Sequence, residues 1–183
     1  GKIRTILRVG APDQKEWLQD HGFKVRWVTS RELTLSSVVV AKNLLPPKGV
    51  EILVAVTPRE IFLGRTISVQ PFEEWGERDF GRPSRDARRG MLPPKLARIM
   101  VNLAQVPKEG VVFDPFCGSG TVLMEANLSG YRAIGSDIDP KGVAHTKENL
   151  AWLEERHPEI RGTSRAFVCD VRDVVAKVKG ETI

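Results

Sequence analysis

The stretch VVFDPFCGSGTVLMEA, residues 111–126, decides the fold of this chain. Its apolar run stops at Asp114 and Pro115, glycines follow at Gly118 and Gly120, and the remainder has the composition of a helix. A strand, a glycine turn and a helix N-terminus in this order favour an anion, because backbone N–H groups and the helix dipole face the turn and glycine allows close approach. The stretch therefore predicts a ligand site.

The sequence of the turn favours a nucleoside without phosphates. The stretch lacks the Gly-Lys-Ser/Thr of a Walker A loop, and Leu123 stands where a dinucleotide fingerprint has its third glycine. Asp114 would repel a pyrophosphate, but it could pair with an ammonium group while the helix N-terminus receives a carboxylate. An amino-acid zwitterion satisfies both conditions.

After residue 92 the sequence alternates between helix and strand patterns, which is typical of a parallel sheet with crossover helices. Helices are predicted at 94–105, 121–129 and 140–155, and strands at 111–114, 132–137 and 166–169. The helix at 94–105 has apolar residues at helical spacing, which we expect to pack on the sheet: Leu96, Ile99, Met100, Leu103 and Ala104.

Each predicted strand ends in an acid. Asp137, 23 residues after Asp114, stands where a carboxylate can accept the hydroxyl hydrogens of a ribose, and Asp170 stands where one can accept from an adenine amino group. The carboxyl ends of adjacent parallel strands share one crevice. The three acids together indicate S-adenosylmethionine, whereas Asp139 and Asp173 are expected to cap helices.

The first 70 residues predict a small α+β region with a helix at 12–20 and extended runs at 24–29, 51–57 and 61–67. The net charge is +5, and positive charge is concentrated in RDFGRPSRDARR, residues 78–89. Two interpretations of this segment stay open: a solvated hinge, or a segment that contacts phosphates.

Composition limits the class of protein. A length of 183 residues with 41% hydrophobic residues allows one domain or two small ones. The apolar runs are far shorter than the roughly 20 residues of a membrane-spanning helix, so we expect no membrane partner and a cytoplasmic location. Cys117 and Cys169 lack metal-ligand spacing, so free thiols and no metal site are expected.

The motifs DPFCGSGTVLMEA, GSDID and RDFGRPSRDARRGMLPPKLARIMVNLA resemble RNA guanine-N2 methyltransferases that carry a THUMP RNA-binding domain, in particular the tRNA branch that methylates guanosine at position 10. The resemblance covers residues 75–175 strongly and 1–70 loosely. It implies a Rossmann-like class I methyltransferase sheet in 93–183, an arginine-rich linker at 71–92, and a linker or THUMP-type RNA-capture region at 1–70.

The resemblance also implies which residues bind the cofactor S-adenosylmethionine, and it implies an RNA partner, which we expect to be tRNA. The implied cofactor residues are Leu92, Pro93, Asp114, Pro115, Phe116, Cys117, Gly118, Ser119, Gly120, Thr121, Asp137, Ile138, Asp170 and Val171. The candidates for RNA contact are Arg82, Arg85, Arg88 and Arg89.

The chain departs from the family at the catalytic motif, an acid or amide followed by Pro-Pro-Tyr or a close variant. Such a group accepts the hydrogens of the weakly nucleophilic guanine amine and aims its lone pair, while an aromatic ring stacks the base. No such motif occurs, and LPPK at 45–48 and 92–95 lacks both acid and aromatic residue. We therefore assign no catalytic residue.

We expect this chain to be a fragment, the N-terminal half of its sheet, and inactive alone. Its apolar faces would be covered by the missing C-terminal half or by self-association. Two alternatives to a tRNA methyltransferase stay open: an enzyme for amino groups of ribosomal RNA or DNA, and a non-catalytic RNA-binding or assembly module with a vestigial cofactor site.

Overall fold

The computed structural model describes residues 2–28, 32, 34–43, 48–86, 90–107 and 109–179. The chain forms two compact units, Gly1–Phe72 and Glu73–Ile183. Within the described ranges, no helix is both long and apolar enough to cross a membrane.

The first unit is a small α+β region, as the sequence predicts. It contains α1 (Lys2–Asp20), α2 (Ser37–Lys42) and an antiparallel hairpin of β1 (Ile52–Val56) and β2 (Ile61–Arg65). The prediction that Pro12 starts the first helix is wrong, since the helix runs through it; a proline removes one backbone hydrogen bond without always ending a helix. No strand forms in the described part of 24–29.

The second unit alternates helices and strands. Its elements are α3 (Phe72–Gly76, which begins one residue before the unit), a π-helical turn (Glu77–Gly81), α4 (Pro94–Leu103), β3 (Val111–Asp114), α5 (Thr121–Leu128), β4 (Arg132–Asp137), α6 (Pro140–Arg156), β5 (Ser164–Val168), a 3-10 turn (Val171–Asp173) and α7 (Val174–Lys177).

The three strands of this unit form one parallel sheet in the order β3-β4-β5. Asp114 pairs with Gly135 of the central strand, and Asp137 pairs with Val168 of β5. The predicted parallel sheet is therefore confirmed, and its carboxyl ends lie along a single edge. This edge positions the candidate site.

The sheet is buried on both faces, as parallel sheets generally are. One core cluster joins strand residues such as Val112 and Ala133 to Leu123 of α5 and Leu153 of α6. A second cluster, on other strand side chains, contains Val111, Ile134, Cys169, Val174 and Val178. The helices α5 and α6 thus pack on the sheet and fix the ends of the strands.

The predicted packing face of α4 is wrong. Four residues of the expected stripe, Leu96, Ile99, Met100 and Leu103, are between 45% and 76% exposed. The helix instead buries Ala97 and Val101 and packs chiefly against α5. Small side chains four residues apart let two helices approach closely, so a narrow seam is sufficient for this contact.

Candidate functional site

The glycine turn is held by hydrogen bonds to the neighbouring strand. The backbone N–H of Cys117 donates to the carbonyl of Ser136 at 2.9 Å, and that of Gly118 donates to Asp137 Oδ2 at 2.9 Å. Inside the turn, the N–H of Gly120 donates to the carbonyl of Cys117 at 2.7 Å. Gly118 and Gly120 have φ angles of 51° and 83°, a left-handed conformation that favours glycine.

Helix α6 holds the other side of the turn through two fully buried polar side chains. Thr146 Oγ1 donates to the carbonyl of Gly118 at 2.8 Å, and Asn149 Nδ2 donates to the carbonyl of Ser119 at 2.9 Å. A Cβ atom on Gly120 would lie 2.9 Å from Thr146 Cγ2. The turn therefore fits tightly against α6 while its carbonyls are occupied.

Sequence reasoning missed Thr146 and Asn149. Their only local signal is the three-residue spacing, which places both on one side of α6 with the buried Leu150 and Leu153. Polar residues on a helix's buried face need partners, and here those partners are carbonyls of the turn.

A cavity of about 410 Å³ lies beside the turn. Predicted cofactor residues line it together with residues not predicted. The lining residues are Gly90, Met91, Leu92, Met100, Phe113, Asp114, Pro115, Phe116, Cys117, Gly118, Ser119, Thr121 and Val122. Six predicted residues lie outside this lining: Pro93, Gly120, Asp137, Ile138, Asp170 and Val171. Gly120 is on the side of the turn that packs against α6.

Asp114 is a half-buried carboxylate at the mouth of the turn. Its Oδ1 accepts a hydrogen bond from the backbone N–H of Phe116 at 3.0 Å. Burial raises the pKa of Asp114 above its ordinary value, and the nearby charge of Asp137 raises this pKa further, against the hydrogen bond from Phe116. The carboxylate is thus placed where a cationic partner would stabilise it.

Asp137 follows on the next strand with both carboxylate oxygens oriented. Oδ2 accepts from Gly118 N–H and Oδ1 accepts from Asp139 N–H, each at 2.9 Å. An ionised carboxylate has about four lone-pair positions, so each oxygen keeps one for a further donor. This geometry can receive two neighbouring hydroxyl groups.

Asp170 follows β5 and is paired with Arg172, a residue that sequence reasoning missed. Arg172 donates to it through Nε at 3.0 Å, through Nη2 at 2.6 Å and through its backbone N–H at 2.9 Å. Hydrogen bonds from the side chain and then the backbone of Arg172 lower the pKa of Asp170 to about 2. Three donors leave this carboxylate about one lone-pair position for a ligand.

The two acids expected to cap helices behave differently. Asp139 caps α6, because its oxygens accept from the backbone N–H groups of Lys141 and Gly142 at 3.1 and 3.0 Å. Asp173 precedes the four-residue helix α7 without a side-chain capping bond, so that prediction is wrong. Asp173 is exposed.

The cysteines of the unit are buried and free. Burial raises the pKa of Cys117 to about 11, so its thiol is protonated at neutral pH and is a poor nucleophile. No group of three or more potential metal ligands occurs among the described residues.

The arginine-rich segment begins with a buried ion-pair cluster. Glu125 of α5 is fully buried; its Oε1 lies 2.8 Å from Arg78 Nε, and its Oε2 lies 2.9 Å from Arg98 Nε. One turn earlier on α5, Thr121 Oγ1 accepts from Arg82 Nη1 at 2.7 Å. The segment is therefore attached to one side of α5.

This attachment corrects the prediction that Arg82 contacts RNA. Arg82 is only 2% exposed, because the polar residues Thr121 and Glu125 of α5 face the segment and draw its arginines inward. Arg85 remains exposed, with its guanidinium carbon 5.1 Å from the ring centre of the exposed Phe80. Arg88 and Arg89 lie outside the described residues.

The segment also reaches α6 and is no hinge in its described part. The backbone N–H of Ser84 donates to Asn149 Oδ1 at 2.9 Å, and Asn149 Nδ2 donates to the carbonyl of Ser84 at 2.9 Å. Because Asn149 also bonds the carbonyl of Ser119, one side chain joins the segment to the glycine turn. Residues 73–86 of the predicted linker thus belong to the second unit.

Comparison with known proteins shows that part of the chain is similar to a family of methyltransferase domains. Residues 82–159 match the model of the RMKL-like methyltransferase domain. A tRNA (guanine(10)-N2)-dimethyltransferase of Methanothermobacter thermautotrophicus is 52% identical over 61 residues, which are 33% of this chain and 18% of that protein. Its counterpart in Methanocaldococcus jannaschii is 40% identical over 97 residues, 50% of this chain and 28% of that protein.

A protein of another description also matches. The type II methyltransferase M.TthHB8I of Thermus thermophilus is 43% identical over 65 residues, 34% of this chain and 14% of that protein. The chain spans less than a third of the length of each of these three relatives. The predicted resemblance is confirmed: residues 82–159 match the model of the RMKL-like methyltransferase domain, and tRNA guanine-N2 methyltransferases are among the proteins to which the chain is similar.

Proposed function

We propose that the glycine turn and the three acids bind S-adenosylmethionine, which supplies a sulfonium-bound methyl group when present. One observation carries this proposal: three acids stand at the carboxyl ends of three adjacent parallel strands, and the first is beside a glycine turn at the N-terminus of α5. The matching methyltransferase family supports the same cofactor.

The residues present fit this cofactor. The half-buried Asp114 suits the ammonium group of the methionine end, while the N-terminus of α5 suits the carboxylate. Within the described chain, the backbone N–H of Ser119 has no partner and is available to that carboxylate. Asp137 has oriented oxygens for the ribose hydroxyls.

The adenine end is supported by weaker features. Asp170 offers a carboxylate to the adenine amino group, and two apolar side chains stand beside the strand ends: Ile138, 67% exposed, and Val171, 40% exposed. An exposed apolar pair beside an acceptor can enclose the faces of a heterocycle. We place Leu92 and Pro93 near the methyl group, and Leu92 lines the cavity.

We further propose that the methyl acceptor is the N2 amine of guanosine in tRNA, of the position-10 type. The named relatives support this acceptor. The exposed pair of Arg85 and Phe80 can contact a phosphate and a base, and we assign Arg85, Arg88 and Arg89 to RNA contact. Residues 1–70 would serve as a linker or as part of an RNA-capture region of the THUMP type.

In this proposal the chain supplies the cofactor-binding part of the reaction. A guanine amine needs an acceptor for its hydrogens and an aromatic surface for the base. The 183 residues contain no acid-Pro-Pro-aromatic motif. We therefore expect no methyl transfer by this chain alone.

A second candidate function is methyl transfer to amino groups of DNA or ribosomal RNA. The match to a type II methyltransferase favours it, because the name of that relative, unlike the names of the other two, does not mention tRNA. The cofactor geometry is the same in both cases, so only the nucleic acid distinguishes them.

Competitive binding to the full chain tests both parts of the proposal. We expect S-adenosylmethionine and S-adenosylhomocysteine to bind, and ATP and NAD⁺ not to bind, because Asp114 repels a phosphate. Binding of ATP or NAD⁺ in place of S-adenosylmethionine would overturn the cofactor assignment.

The nucleic acid is tested with fluorescent tRNA displaced by unlabelled tRNA, ribosomal RNA or duplex DNA. We expect tRNA to compete best, and Arg85→Gln to lower the slope of log affinity against log salt by about 1, the value for one phosphate contact. Better competition by DNA or ribosomal RNA would favour the second candidate function.

A further inference from the structure

Thr121 begins α5 with a hydroxyl group that has an unused hydrogen. Its oxygen accepts from Arg82 Nη1 at 2.7 Å, so the hydroxyl hydrogen is free to donate elsewhere. None of the residues that the structure describes accepts that hydrogen. Thr121 lines the cavity together with Ser119, so a ligand that displaces water from the cavity can supply the acceptor.

Arg82 is a buried cation with incomplete hydrogen bonding. Its Nε and Nη2 atoms are buried and have no partner in the described part of the chain. Burial lowers the pKa of Arg82, and the charges of Asp79 and Glu125 oppose this shift, but a guanidinium stays charged in proteins. An incompletely paired buried cation costs stability, so its presence calls for an explanation.

The explanation lies in where the two groups stand. Arg82 places its charge behind the first residue of α5, where the helix dipole is also positive. The same cavity is lined by Asp114, an acid that a cation would stabilise. The cavity thus offers a negative group to an ammonium ion and a polarised hydroxyl to a carboxylate.

We propose that Arg82 is a positioning residue for the carboxylate of the methyl donor and that it acts through the hydroxyl group of Thr121. This inference rests on the proposed function. Arg82 does not touch the ligand; it fixes the Thr121 hydroxyl so that its hydrogen points into the cavity, and its charge strengthens that donor.

Calorimetry with the full chain and two ligands tests this role. S-adenosylmethionine has the carboxylate, whereas decarboxylated S-adenosylmethionine keeps the ammonium and sulfonium groups and lacks it. We expect Thr121→Val and Arg82→Gln each to weaken S-adenosylmethionine binding about tenfold or more, the effect of a hydrogen bond to a charged group. Binding of the decarboxylated ligand should change less than about twofold.

Three further variants make the result specific. Thr121→Ser keeps the hydroxyl and should restore binding to within about threefold of the unvaried chain. The exposed Arg161 has no assigned role, so Arg161→Gln should leave both affinities unchanged. The double variant of Arg82 and Thr121 should bind no more weakly than the weaker single variant, because both act through one donor.

Equal losses for the two ligands would show a merely structural role and would overturn the inference, as would unchanged S-adenosylmethionine binding in Thr121→Val. If Arg82→Gln fails to fold, the comparison of Thr121→Val with Thr121→Ser still decides the question. An unvaried chain that binds neither ligand would refute the proposed function itself, which is a different outcome.

Discussion

Asn149 joins α6, the arginine-rich segment and the glycine turn, so truncating its side chain tests how these three parts pack together. In Asn149→Ala, three partners lose their hydrogen bonds: the N–H and carbonyl of Ser84 and the carbonyl of Ser119, each now bonded at 2.9 Å. An unsatisfied buried polar group costs about 1–3 kcal/mol. We expect the free energy of unfolding to fall by about 3–5 kcal/mol, at the low end of the summed cost because water can reach part of the site.

Urea denaturation of the full chain, followed by circular dichroism, measures this loss. The control is Asn102→Ala, the same substitution at an exposed position of α4, which should change stability by less than about 0.5 kcal/mol. The reasoning fails if the two variants have unfolding free energies within about 1 kcal/mol of each other. In that case Asn149 would not join the arginine-rich segment to the turn.

Three other substitutions are expected to have distinct effects. Glu125→Gln should lower the free energy of unfolding by about 3–5 kcal/mol, because it leaves Arg78 buried without its countercharge; denaturant titration measures this, and a loss below about 1 kcal/mol would contradict it. Asp114 has a raised pKa, so the contribution of its carboxyl group to stability grows as the pH falls through that pKa. Asp114→Asn should therefore raise the melting temperature at neutral pH, remove this pH dependence and weaken S-adenosylmethionine binding. Gly120→Ala should destabilise the domain by about 1–2 kcal/mol from backbone strain alone and more from its contact with Thr146, and an unchanged melting temperature would refute it.

The sheet and its ligand edge could be predicted because their signals are local. A strand that ends in Asp114, a turn with two glycines and a helix start lie within a few residues, and the same pattern of strand and acid returns at Asp137 and Asp170. Parallel pairing then brings these ends together without further information.

The side chains behind the turn could not be predicted in this way. Ser84 and Asn149 are 65 residues apart, and Arg78 and Glu125 are 47 apart, so their contacts depend on the tertiary fold. A cluster of arginines in a sequence shows that the segment is positively charged, but it does not show which side chains face the interior and which face solvent. The structure turns Arg78 and Arg82 inward and leaves Arg85 exposed.

The prediction that the apolar stripe of α4 packs on the sheet failed for a related reason. An apolar stripe predicts that something covers a helix face, but it does not say what covers it. In this domain the small residue Ala97 and the ion pair of Arg98 with Glu125 direct the other face of α4 towards α5. The apolar periodicity therefore predicted the helix correctly, but it predicted the wrong face for its contact with the rest of the domain.

Calorimetry of S-adenosylmethionine with the full chain, the variant Asp137→Ala and the control Asp173→Ala tests the central claim most directly. We expect one molecule to bind per chain, the Asp137 variant to bind about tenfold more weakly or worse, and the control to bind as the unvaried chain does. Absence of binding by the unvaried chain, or binding that Asp137→Ala leaves unchanged, would contradict the account.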